Sequence, residues 1–224
     1  MSVAGVVRTR LVGLSWRQRT LLVGGVAFVA WTEWTTADLT ARLVKDLLLF
    51  VALPGALAAT HGRHLGWRVD RAALRNTVLL AAFVLPFYVV GSSLPSVRAF
   101  YPMWWGPETA YLPHAVQQFL VVVAAETYYR GLLCVGLRDL GRKAALVSPV
   151  AYAFHHLGKP PIELLLSAPT DVLFGLVDYE SDSILPSVVA HGGGLALLDW
   201  LVVRPPLVDA GTVTRALSWL PVAL

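Results

Sequence analysis

The chain has 224 residues, of which 56% are hydrophobic and 14% charged, with a mean hydropathy of +0.63 and a formal net charge of +4. Soluble domains carry about 25% charged residues, so the composition excludes a water-exposed globule, a disordered chain and an acidic tail protein. The one cysteine, Cys134, excludes an internal disulfide and a cysteine zinc cluster, and reads as a small buried hydrophobe.

The long apolar stretches are continuous rather than alternating, which points to spanning helices and away from a barrel. A span needs about 20 mostly apolar residues. In chain order, the first predicted span runs from Thr20 to Thr35. The second runs from Val44 to Thr60, with a kink expected at Pro54 and Gly55, and the third from Asn76 to Leu94. Between Pro95 and Pro113, the run Pro102-Met103-Trp104-Trp105-Gly106-Pro107 predicts an interfacial loop with an aromatic belt. The fourth span covers His114 to Leu137. The fifth, Lys143 to Leu157, is short and is broken by Gly158, Pro160 and Pro161. The sixth covers Ile162 to Tyr179, and the seventh Ser183 to Val203, before Pro205 and Pro206. The tail from Thr212 to Leu224 is apolar but too short for a span.

The pattern predicts an all-α fold: a polytopic transmembrane helical bundle of about seven spans, within bounds of about six to eight. Residues 1–224 form a single integral membrane domain. Residues 1–113 supply scaffold spans and the interfacial loop, and 114–203 carry the chemistry.

The basic residues cluster between apolar runs: Arg8, Arg10, Arg17 and Arg19; Arg63, Arg68, Arg71 and Arg75; Arg138, Arg142 and Lys143. Such clusters read as cytoplasmic segments, which places the N-terminus in the cytoplasm and alternates across the first four spans. They do not form an aromatic-interleaved patch, so lipid is the expected partner and nucleic acid is not. The acids Asp178, Glu180 and Asp182 carry little orientation information. No small-residue cleavage site follows the first apolar run, so it is expected to be a retained anchor.

Ionisable side chains within lipid are costly and mark function by default. Here they concentrate in the second half: Glu126, Arg130, His155, His156, Glu163, Asp171, His191 and Asp199. Glu126 and Arg130 stand at i, i+4 on one helical face, either as a structural ion pair or as an active carboxylate beside a fixed cation. His156 shares a face with Tyr152, one turn earlier, while His155 points about 100° away. His156 is therefore the expected site residue and His155 a bystander. Glu163 either supports the site or complements a helix dipole, with the second reading ahead. Asp171 reads as a polar packing residue. His191 precedes Gly192, Gly193 and Gly194, which permit either close helix packing or approach of a substrate. Asp199 lies two turns beyond His191, on the same side.

One carboxylate and two imidazoles from three spans form an acid–base set. A glutamate and a histidine can share a water and deprotonate it as it attacks a carbonyl. A second histidine can stabilise the oxyanion. That chemistry suits peptide hydrolysis without a covalent intermediate. No serine stands in a Gly-x-Ser-x-Gly elbow, and Cys134 lies in an apolar stretch. There is no His-Glu-x-x-His, yet Glu126, His156 and His191 would make a three-ligand zinc set if a metal were used.

Three segments carry a resemblance: Glu126-Thr-Tyr-Tyr-Arg130-Gly131-Leu-Leu, Tyr152-Ala-Phe-His-His156-Leu-Gly-Lys-Pro, and Ser183-Ile-Leu-Pro-Ser-Val-Val-Ala-His191. In this order and spacing they resemble the CPBP family. These are the CAAX prenyl protease 2 and bacteriocin-processing intramembrane proteases, also called the Abi family. The resemblance covers Val116 to Leu201. It implies an intramembrane endopeptidase of glutamic type, formerly described as a metalloprotease. It also implies a bacterial plasma membrane, a peptide or protein substrate, and no cofactor, with zinc the exception to test.

The family's Glu-Glu-x-x-x-Arg has Ala125 at its first position here, which places the chain in a single-glutamate branch. The family's Phe-x-x-x-His becomes Tyr152 to His156. Its His-x-x-x-Asn has Leu195 at the last position, with Asp199 one turn further. The resulting expectation is that Glu126 and His156 activate water, His191 stabilises the oxyanion and Arg130 holds Glu126, with Tyr152, Asp199 and Glu163 in support. Two alternatives stand beside it. Ala125 and Leu195 motivate a catalytically silent membrane binding or immunity protein of the same family. The buried ionisable residues also suit a small transporter, against which stand the nearly charge-free first three spans.

Overall fold

A computed structural model describes residues 13–224; Arg8 and Arg10 of the first basic cluster lie outside the described residues. Among the described residues all regular structure is helical. Helix α1, Trp16–Glu33, starts on a capping box between Ser15 and Gln18. Helix α2, Leu39–Thr60, starts where the Asp38 side chain accepts from the Ala41 N–H. Its middle, Leu47–Ala52, is wound as a π-helix just before Pro54. Proline has no N–H and its ring crowds the carbonyl four residues earlier. The wider π turn absorbs both effects, so the helix continues past the position where the sequence predicts a kink.

Helix α3, Arg71–Gly91, is capped by Asp70, and the short α4, Pro95–Phe100, begins at proline. Helix α5, Tyr111–Leu132, ends in a π-wound segment, Thr127–Leu132. The chain then bends by 79° into a 3-10 stretch, Val135–Leu146, which breaks at Gly141 with φ +62°. Helices α6, Pro149–His155, α7, Pro161–Ser181, α8, Leu185–Val202, and α9, Ala210–Ala216, complete the described chain.

Three helices, α2, α3 and α8, are long and apolar enough to cross a membrane, or four if α5 and the bent 3-10 stretch form one broken span. The seven predicted spans are therefore not all matched by long apolar helices. The predicted fifth span, Lys143 to Leu157, is two pieces: the end of the 3-10 stretch and the seven-residue α6. At 1.5 Å per residue, α6 covers about 10 Å of a hydrocarbon core about 30 Å thick. Pro149 starts it, and Gly158, at φ +85°, follows its end. Helices α1 and α7 are not among the three candidate spans, and both carry charges: Arg17, Arg19 and Glu33 in the first, and Glu163, Asp171, Asp178 and Glu180 in the second.

The two ends of the bundle differ in chemistry. At one end, Arg17 pairs with Asp139 at 2.8 Å, Arg138 with Asp182 at 3.0 Å, and Arg142 with Glu180 at 2.6 Å. Arg68 also pairs with Asp182. Asp139, Glu180 and Asp182 are thus the partners of the basic clusters. At the opposite end, Tyr111 donates to the Ala196 carbonyl at 2.8 Å, and Arg98 donates to the carbonyls of Val202 and Arg204. The Arg204 guanidinium covers the Trp200 ring there. One end is ionic and the other aromatic.

Helix α8 is the central element and packs on α3, α5 and α7. Helix α3 turns Leu80 and Val84 inward against Phe174 and Ala190, and exposes Val78, Leu79, Phe83 and Phe87. The glycine triplet of α8 settles its own reading by contact. A Cβ at Gly192 would lie 2.6 Å from Phe119, and one at Gly194 would lie 2.1 Å from Tyr88. Gly193 has nothing within 4 Å. Two of the three glycines therefore serve close packing, the contact that holds helices together in lipid.

Candidate active site

Glu126 is the last residue before the π-wound end of α5, and Arg130 lies within that segment. Both side chains are fully buried. One Glu126 oxygen, Oε1, is 2.7 Å from His191 Nδ1 on α8. The other, Oε2, is 3.3 Å from Arg130 Nε. The Arg130 guanidinium also donates to Asp171 on α7, and Asp171 Oδ2 accepts from the Ser148 hydroxyl at 2.6 Å. Asp171 therefore has two partners, Arg130 and Ser148, where the sequence offered none. The guanidinium lies 4.8 Å from the centre of the Tyr152 ring and 5.7 Å from that of Phe174. Three polar atoms here are buried without a hydrogen-bond partner: Glu126 Oε2 and Arg130 Nε and Nη2. Unsatisfied buried groups of this kind are uncommon and are where a bound water or ligand is expected.

His156 belongs to a neighbouring cluster. It follows α6 directly, and the Tyr152 carbonyl accepts from its Nδ1 at 2.8 Å. Its Nε2 lies 3.5 Å from Glu163 Oε1. Glu163 also accepts from Lys159 at 2.7 Å and from the Tyr101 hydroxyl at 2.8 Å. Glu163 is thus the hub of a cluster rather than only an acid in a helix's first turn. Burial and the Glu163 charge hold the Tyr101 phenol well above its usual range, so it acts as a donor. The expected Glu126–His156 pair is not the one that forms. The tight end of α6 turns the His156 ring back onto its own helix, and the Tyr152 ring stands between His156 and Arg130, 4.4 Å from the imidazole.

The bystander reading of His155 acquires a structural content. Arg42 Nη2 lies 3.0 Å from its Nε2 and Tyr129 Oη lies 2.9 Å from its Nδ1. Arginine only donates, so Nε2 accepts and the neutral ring donates through Nδ1. His155 thereby ties α2, α5 and α6 together.

Asp199 does not reach His191. It pairs with His114 of α5 at 3.1 Å, and both side chains are buried. His114 stands at the first position of the predicted fourth span, where a polar residue attracts no notice. Asp178, with no site role expected from the sequence, is buried and accepts from both the backbone and the hydroxyl of Ser187. That bond braces the start of α8, one turn before His191.

Among the described residues, no three His, Cys, Asp or Glu side chains gather as a metal-binding group. The conditional zinc set of Glu126, His156 and His191 does not converge, because His156 faces Glu163 and one Glu126 oxygen is engaged by His191.

The described residues thus form an all-helical bundle that encloses a buried acid–imidazole pair, Glu126 and His191. Residues 107–194 match the family model described as Rce1-like, type II CAAX prenyl endopeptidase Rce1-like. The segment contains all three motifs, so the likeness to CPBP intramembrane proteases is shown over it. No curated protein and no solved structure matches the chain.

Proposed function

We propose that the chain is an intramembrane endopeptidase of glutamic type, which hydrolyses a peptide bond of a membrane-associated protein or peptide with an activated water. The observation that carries this reading is the 2.7 Å contact between Glu126 Oε1 and His191 Nδ1 inside the bundle. Arg130, fixed from its other side by Asp171, faces the second Glu126 oxygen and holds the side chain in place. The carboxylate orients His191 through Nδ1. His191 Nε2 makes no hydrogen bond to any described residue, and the side chain is 17% exposed. That nitrogen is placed to take a proton from water as oxygen attacks the carbonyl, then to deliver it to the leaving amine. The scheme exchanges the expected duties of the two histidines. His156, with Glu163 and Tyr152, is assigned to binding the substrate backbone.

The family's description names a CAAX prenyl endopeptidase. A substrate held in the bilayer by a lipid chain would suit a site enclosed by helices. The same reading includes seven crossings of a plasma membrane with the ionic end in the cytoplasm. Helix ends alternate between the ionic and aromatic ends, and the crossing between α5 and α7 would be made by the 3-10 stretch and α6. A catalytically silent relative is the second reading. It is favoured by Ala125, by Leu195, and by the engagement of Glu126 with both His191 and Arg130.

Glu126→Gln tests the proposal in purified protein reconstituted into vesicles with a lipidated peptide. Cleavage is expected to fall by about 10²-fold or more, with insertion and folding retained. Cleavage at the wild-type rate would refute it. Wild-type protein that cleaves no such peptide would favour the silent relative.

A further inference from the structure

Tyr88 lies on α3, in the half of the chain that composition assigns to scaffold. Its ring nonetheless reaches the catalytic face of α8. Gly194 is three residues beyond His191 and so shares its side of the helix. A Cβ at Gly194 would lie 2.1 Å from Tyr88 Cε2 and 2.5 Å from Cζ, the carbon that bears the hydroxyl. Only glycine admits the ring there. The ring touches two clusters at once. One holds Phe174, which neighbours His191 and Arg130; the other holds Tyr101 and Ile162, beside Glu163. Tyr88 therefore packs against side chains that neighbour both the Glu126–His191 pair and the His156–Glu163 cluster.

Its hydroxyl makes no hydrogen bond to any described residue. Of the seven tyrosines, Tyr101, Tyr111, Tyr128 and Tyr129 place theirs on a protein partner, while Tyr152 and Tyr179, like Tyr88, do not; of these three only Tyr88 packs against the glycine face of α8. An aromatic side chain in an apolar bundle usually satisfies its polar tip, because an unpaired hydroxyl costs free energy. A phenol is a donor at neutral pH, and a water-poor site makes such a donor most effective against a developing oxyanion.

We propose that Tyr88 is a further catalytic residue, whose hydroxyl donates a hydrogen bond to the carbonyl oxygen of the bond being cleaved. As the water oxygen bonds to the carbonyl carbon, the C=O π pair moves onto that oxygen and Tyr88 stabilises the charge without giving up its proton. When the C=O bond re-forms, the C–N bond breaks and the amine leaves with the proton held by His191. The proposal rests on the endopeptidase reading.

The test is Tyr88→Phe, which removes one oxygen, in the full chain reconstituted with a lipidated peptide. We expect kcat to fall by about 10²-fold, the loss typical of one oxyanion donor, with KM little changed. The thermal unfolding midpoint should stay at the wild-type value, since the hydroxyl has no protein partner. Wild-type kcat overturns the assignment. So does a lowered midpoint that accompanies the loss, which would reveal a structural hydroxyl. Glu126→Gln is assayed in parallel. An inactive Glu126→Gln beside a fully active Tyr88→Phe removes only the Tyr88 role, whereas an active Glu126→Gln removes the endopeptidase reading itself.

Discussion

Arg130 carries the largest fully buried side chain among the described residues, and it is charged. It persists there because two carboxylates, Glu126 and Asp171, face it and two aromatic rings flank it. Arg130→Met would leave both carboxylates without a counter-ion. Removing one partner of a buried ion pair costs about 3–5 kcal/mol. Ser148→Ala removes a single hydrogen bond to Asp171 and should cost about 1–3 kcal/mol. Denaturant unfolding in detergent measures both, and a Ser148→Ala loss equal to that of Arg130→Met would contradict the network. The i, i+4 spacing made Glu126 and Arg130 legible as neighbours. Asp171 was not legible as the third member, because its partner lies 41 residues away on another helix. The Glu126–His191 contact also depends on how α5 meets α8, which spacing along one helix does not encode.

At the scale of elements, the glycine triplet of α8 offers a contrast within three residues. Gly192 faces Phe119 at a distance no side chain tolerates, and Gly193 faces open space. Gly192→Ala should destabilise by about 1–3 kcal/mol through overpacking. Gly193→Ala should be neutral or stabilising, by up to about 1 kcal/mol, because alanine is the better helix former. Thermal unfolding of the two variants checks the order, and equal effects would contradict the packing. Both uses of the triplet were open in the sequence, and only the neighbours Phe119 and Tyr88 distinguish them. The two π-wound segments, Leu47–Ala52 and Thr127–Leu132, left no pattern in the hydropathy. Pro54 signalled a disturbance near the first, but the remedy is a local change of winding rather than a bend. The predicted fifth span is not one continuous helix, for a related reason. Apolar residues from Lys143 to Leu157 match a span in composition, while Ser148, Pro149 and Gly158 divide them into pieces.

The whole molecule is organised by its two ends. The arginine clusters identified one end from sequence alone, and Glu180 at the end of α7 and Asp182 just after it proved to be their partners across distant segments. Composition established the membrane class, because 14% charged residues cannot clothe a chain of this size in water. It did not establish the number of crossings, since the buried acids of α7, Asp171 and Asp178, find their partners only in the packed bundle. Orientation can be read by thiol labelling, because the native Cys134 is fully buried and gives no background. Arg71 and Glu108 are exposed and lie near opposite ends. Arg71→Cys should react with an impermeant reagent from the cytoplasmic side only, and Glu108→Cys from the other side only. Labelling of both from the same side would contradict the two-ended arrangement.

The most direct measurement is a double-mutant cycle on cleavage rate with Glu126→Gln, His191→Ala and the combined variant. Groups that act as one catalytic unit are strongly non-additive. If the carboxylate works by orienting the imidazole, each single change should lower kcat by a similar factor, and the double variant should be no slower than the worse of the two. Losses that multiply would show two groups acting separately, and a 2.7 Å contact that is only structural.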